Sequence, residues 1–137
     1  MLEKESPDVV GICLPFYQNA EASIAAASKG IHVLSEKPAA TELSELTRLE
    51  EQVHQSGIQY SVMLDMRTLP IFRAARQAVQ QGAIGEPILI PSQKSYKYGP
   101  QRPWFYKERK TYGGQFPGSE STHWTTCSGC LGRNIRM

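Results

Sequence analysis

Short apolar runs alternate with amphipathic stretches along the first two-thirds of the chain. Asp8 to Leu14 (DVVGICL) is nearly continuous in apolar, often β-branched residues, which predicts a parallel strand covered on both faces. Pro15 stops it. From Asn19 to Gly30 (NAEASIAAASKG) an alanine-rich body predicts a helix, with Asn19 as a candidate N-cap, Glu21 in the first turn and Lys29-Gly30 as the exit. Ile31 to Ser35 (IHVLS) reads as a second buried strand, with His32 packed inside the domain. Thr41 opens a second helix carrying Leu43, Leu46, Leu49 and Val53 along one side, and Ser56-Gly57 closes it. Ile58 to Leu64 (IQYSVML) predicts a third strand, and Pro70 a third helix bearing Phe72, Ala75 and Val79, released at Gly82 and Gly85. Strands alternating with helices at this spacing specify right-handed crossovers and a parallel α/β sheet.

Composition changes this picture little. Fifteen basic residues against 13 acidic ones leave a formal charge of +2, too balanced to point to nucleic acid or an anionic membrane. Cys13, Cys127 and Cys130 are too few and odd in number for a disulfide framework, and no apolar run approaches the ~18 residues of a membrane span. The N-terminal MLEKESPDVV lacks the apolar core of a signal peptide, so a cytoplasmic protein without membrane contact is expected.

The chemistry begins where the second strand ends. Glu36-Lys37-Pro38 follows it at the carboxyl edge of the sheet, where α/β folds gather their ligands. A lysine projecting there can stabilise an alkoxide through its ammonium or exchange a proton with it. The strand ending in Glu36-Lys37-Pro38 and followed by an alanine and a helix, together with the preceding strand, Pro15 and alanine-rich helix, resembles the later half of the nucleotide domain of the Gfo/Idh/MocA oxidoreductases. The resemblance runs from about Pro7 to Gly114. It implies the C-terminal half of a Rossmann-type doubly wound parallel sheet over residues 1–84, and the start of an α+β substrate domain over 85–114. It further implies NAD or NADP as cofactor, hydride transfer to or from a sugar, inositol or related polyol, and a homo-oligomer for a full-length form. By resemblance Lys37 is the catalytic residue and contacts both the nicotinamide ribose and the reacting hydroxyl, Glu36 helps position it and Pro38 fixes the turn. Leu14, Pro15, Asn19 and Arg67 are the further cofactor-side candidates. The family commonly has Thr-Pro and a histidine a few residues on where this chain has Leu14-Pro15 and Asn19. Arg67 and Pro70 resemble its Arg-x-x-Pro.

From Gly85 onward the pattern changes. Pro87 to Ile90 is the expected first strand of the substrate domain, and a basic-aromatic stretch follows with Lys94, Tyr96, Lys97, Tyr98, Arg102, Trp104, Phe105 and Tyr106. The resemblance makes this stretch a lining for the polyol pocket, with Trp104 as the substrate-side candidate. The stretch also suits a noncatalytic module that binds nucleic acid or protein through residues 94–112, which the near-neutral total charge disfavours.

The sequence holds no Gly-x-Gly-x-x-Gly turn, so the chain is expected to be a fragment and inactive alone. Residues 115–137 show no sustained period, and His123 with Cys127-x-x-Cys130 offers a zinc half-site without a second pair, so no metal is assigned. A displaced reading frame is the preferred account of this tail. Codons for Gln115 to Gly132 read two bases out of phase permit ISWVGIHALDYMLWVSG, which restores the family's Gly-x-His-x-x-Asp. The leucine and aspartate across His123, Trp124 and Thr125 are forced by the code; the histidine is permitted by codons for Ser121 and Thr122.

Overall fold

Three short strands, β1 (Val9–Ile12), β2 (His32–Ser35) and β3 (Tyr60–Val62), form a parallel sheet in the order β1-β2-β3. The structure is a computed structural model that describes residues 2–89, 91 and 101–112. It divides into two units, one holding residues 2–63 and 102–112 of the described chain and the other 64–89, 91 and 101.

In the first unit a four-residue helix α1 (Leu2–Glu5) precedes β1, α2 (Asn19–Ala27) links β1 to β2, and α3 (Leu43–Ser56) links β2 to β3. The register sets Val10 opposite Val33 and Ile12 opposite Ser35, and on the other side Val33 opposite Tyr60. These residues share one face, and both helices cover it. Ile12, Val33, Ile31 and Ile58 pack with Ala26 and Ala27 of α2 and with Val53 of α3. Alanine favours helix, and its small side chain lets α2 lie close on the sheet, where Ala20, Ala26 and Ala27 are all but fully buried.

The alternate face carries Val9, Gly11, His32, Leu34 and Ser61, all exposed among the described residues. Coverage on both faces, as the apolar runs predict, is therefore not found: Val9 keeps 59% of its surface and Leu34 42%. An apolar run marks a strand that suits burial, but it does not say which element covers which face. His32 is likewise outside the core, exposed, with its Nδ1 accepting the Gln59 N–H at 3.0 Å. Period-2 alternation turns it away from buried Val33.

α3 starts two residues after Thr41. Glu42 is the N-cap, and Glu45 Oε2 accepts from the N–H of both Thr41 and Glu42, a reciprocal cap that ends the extended segment there. Leu49 is buried and Val53 half-buried, whereas Leu43 and Leu46 are exposed, so only the later turns of α3 face the sheet. Gly57 closes the helix at φ 67°, a left-handed position.

In the second unit a 3-10 turn (Asp65–Thr68) leads into α4 (Pro70–Gln80), with Pro70 in its first turn. Phe72 and Val79 are half-buried and Ala75 is exposed. Residues 87–89 form no strand, and Ile88 and Leu89 are exposed; Ile90 lies outside the described residues. An apolar run without a hydrogen-bonded neighbour does not become a strand. Lys94, Tyr96, Lys97, Tyr98 and the tail from Gln115, with His123, Cys127 and Cys130, also lie outside them. Among the described residues no helix is long and apolar enough to cross a membrane, and no three metal-ligating side chains cluster.

Candidate active site

At the carboxyl edge of the sheet the strands hand over to two loops. The last ladder bonds run from Glu36 N to Ile12 O at 2.7 Å and from Met63 N to Ser35 O at 2.8 Å. Beyond them lie Glu36 and Lys37, both half-buried, and a cis peptide to buried Pro38. Beside them, Leu14 and Pro15 lead from β1 into a 3-10 turn (Phe16–Gln18) that runs directly into α2.

Asn19 is not the N-cap of α2 but its first residue; Gln18 holds the cap position. Its side chain is fully buried, and Nδ2 donates to Glu36 O at 3.3 Å and to Pro38 O at 2.9 Å. Ser35, also fully buried, adds a hydroxyl donated to Glu36 O at 3.1 Å. Asparagine at a helix start has two options, to cap its own helix or to reach a neighbouring loop. Here the loop is close enough to take both amide hydrogens.

Phe16 is buried, and Lys37 Nζ lies 5.9 Å from the centre of its ring, within cation–π range. A second set of aromatics closes on the same turn from the segment carrying a 3-10 turn (Trp104–Tyr106) and α5 (Arg109–Tyr112). Tyr106 and Phe105 meet Phe16 edge-on, at 5.5 Å and 75° and at 6.3 Å and 73°. Trp104 tilts against Tyr17 at 6.1 Å and remains 57% exposed, and Arg102 stacks on Tyr106 at 4.8 Å. The result is a lysine seated on an aromatic floor next to a wall of rings, one of which is open to solvent.

Of the residues singled out from the sequence, Lys37, Glu36, Pro38 and Asn19 come together in one cluster, with Leu14 and Pro15 leading into its floor and Trp104 in the adjoining wall. Arg67 belongs to the second unit, exposed in the turn ahead of α4, with its backbone N–H on Leu64 O at 3.0 Å. Sequence reasoning missed Phe16 and Ser35. An aromatic directly after the strand-ending Pro15, and a small hydroxyl residue directly before Glu36-Lys37, were the available signals.

Comparisons with known proteins point to oxidoreductases. Residues 1–64 match the model of an oxidoreductase family with an NAD-binding Rossmann fold, GFO_IDH_MocA. A levoglucosan dehydrogenase from Pseudarthrobacter phenanthrenivorans is 29% identical over 124 residues, which is 87% of this chain and 32% of the relative. The chain thus spans about a third of the length of that curated relative. A Thermotoga maritima structure assigned as an oxidoreductase superposes with a TM-score of 0.91 at 36% identity, covering 96% of this chain and 41% of the other. An inositol dehydrogenase homologue from Azotobacter vinelandii, solved with NADH and myo-inositol, is 25% identical over 58% of this chain and 21% of its own, with a TM-score of 0.55.

Proposed function

We propose, from the match of residues 1–64 to the Gfo/Idh/MocA oxidoreductase family model, that the chain serves hydride transfer between a nicotinamide dinucleotide and a carbon of a sugar, inositol or related polyol. The observation that carries the proposal is Lys37 on the carboxyl edge of a parallel sheet, half-buried over Phe16. A bound NAD or NADP supplies the hydride donor or acceptor. Lys37 donates a hydrogen bond to the oxygen on the reacting carbon and stabilises the negative charge that develops there during hydride transfer, the hydroxyl proton passing to solvent. Glu36, Pro38, Leu14 and Pro15 border the space in which the nicotinamide ribose would lie, and the exposed ring of Trp104 offers a face for sugar C–H groups. Arg67 is a further candidate on the cofactor side.

These residues suit the nicotinamide end of a dinucleotide. The sequence contains no Gly-x-Gly-x-x-Gly turn for the pyrophosphate, so the chain alone is proposed to be inactive. The nucleic-acid or protein-binding reading of residues 94–112 is not favoured, because Phe105 and Tyr106 are half-buried and spend their ring contacts on Phe16.

Calorimetric titration of the chain, and of a chimera in which a strand-turn-helix half-domain carrying a Gly-x-Gly-x-x-Gly turn is fused ahead of it, tests the proposal. The chimera is expected to bind NAD or NADP saturably and the chain alone not to. Absence of binding by a folded chimera overturns the dinucleotide reading.

A further inference from the structure

We propose that Asn19 is the positioning residue of Lys37: its carboxamide ties the backbone on both sides of the lysine to the start of α2 and so aims the side chain over Phe16. The functional consequence rests on the reading of Lys37 given above; the geometry does not.

A fully buried polar side chain is costly unless its hydrogen bonds are made. Asn19 makes them 17 and 19 residues away, on the carbonyls of Glu36 and Pro38. One amide group holding the carbonyls of residues two apart constrains the backbone of the residue between them, which is Lys37. Glu36 is pinned further by Ser35 Oγ on its carbonyl and by Ile12 O on its N–H. The direction in which Lys37 leaves the chain is thereby set from β1, β2 and α2. Three residues ahead of Asn19, Phe16 supplies the surface under the ammonium. Residues 16–19 therefore hold Lys37 twice, the backbone through Asn19 and the charged end through Phe16.

The donor half of the carboxamide is the half in use. Among the described residues Asn19 Oδ1 is buried with no hydrogen-bond partner, as is Ser23 Oγ one turn on. An aspartate at position 19 would keep the shape and delete both donors, setting a carboxylate against two carbonyls. A histidine at position 19 could return one ring N–H. That asymmetry separates aiming from simple space filling.

The test uses the whole 137-residue chain, reductively methylated with 13C on its lysines, with the Lys37 signal assigned by Lys37→Arg. In the unsubstituted chain the Lys37 methyl signal is expected upfield of the other lysines, because Phe16 lies beneath it. Asn19→Asp and Asn19→Ala should return it to the range of exposed lysines, Asn19→His should keep part of the shift, and Ser23→Ala should leave it in place. An upfield Lys37 signal that persists in folded Asn19→Asp overturns the proposal. If Asn19→Asp does not fold, the Asn19 carboxamide of the unsubstituted chain decides. Its protons are expected to exchange with water more slowly than those of free asparagine, by on the order of tenfold or more; exchange at the free rate overturns it. Dinucleotide binding by the chimera is scored separately. A Lys37 signal governed by Asn19 in a chimera that binds no dinucleotide upholds the positioning and overturns the oxidoreductase reading, and the reverse pair of results does the opposite.

Discussion

Phe16→Leu probes how the aromatic wall and the lysine are assembled. Leucine fills much of the volume of this buried ring, so the cavity left is small and the loss falls mainly on ring-specific contacts. Two edge-on partners, Phe105 and Tyr106, are lost, each worth about 0.5–1.5 kcal/mol beyond area burial. Lys37, at 5.9 Å near the outer limit of cation–π range, adds about 0.5 kcal/mol. A destabilisation of about 1.5–3.5 kcal/mol follows. With a urea dependence of ~1–2 kcal/mol per molar, the unfolding midpoint should drop by roughly 0.8–3.5 M. The sequence contains two tryptophans, so a Trp124→Phe background leaves Trp104, beside Tyr17 in the same unit, as the fluorescent reporter. A double-mutant cycle of Phe16→Leu with Tyr106→Leu should return a coupling of about 0.5–1.5 kcal/mol. A midpoint shift below ~0.2 M, or a coupling near zero, would mean that residues 102–112 do not seat on Phe16 and that the wall is not part of the site.

Leu49→Ala, at a buried position of α3, should cost about 2–5 kcal/mol in the same assay, while Leu43→Ala on the exposed first turn should stay within about 0.5 kcal/mol; equal effects would contradict the face assigned to α3. Glu3 carries a carboxyl held below its ordinary range by a hydrogen bond from Lys29 at 2.8 Å and then by the charge of that lysine. Because the folded pKa is depressed, the contact's stabilisation is present above the ordinary carboxylate pKa and is lost as pH falls through the lowered value. Carbon-detected titration should place the Glu3 midpoint low, and Lys29→Ala should return it to the ordinary value; no change on Lys29→Ala would remove the contact.

Much of the first unit is legible from periodicity and punctuation. Pro15, Gly30, Gly57 and Pro70 mark boundaries because their backbone restrictions are local, and local restrictions survive folding. Leu43 and Leu46 mislead because an apolar stripe tells which side of a helix suits a core, not how far the core extends along it. The same limit applies to Val9 and Leu34 on the exposed face of the sheet. Lys37 is recognisable from Glu36-Lys37-Pro38 after a strand. Its supports are not: Asn19 bonds across 17 and 19 residues, and Phe16 meets rings some 90 residues away, contacts that no local pattern encodes. The capping preference of asparagine pointed to its own helix, and the nearer loop carbonyls won.

The most direct test of the central claim is polyol-dependent nicotinamide reduction by the chimera, with and without Lys37→Ala, across sugars and inositols. The predicted result is turnover on at least one polyol that falls roughly 10²–10⁴-fold in Lys37→Ala while dinucleotide affinity is nearly unchanged, since the lysine acts on charge that develops only during reaction. Equal turnover in Lys37→Ala, or no turnover on any polyol by a chimera that binds dinucleotide, would contradict it.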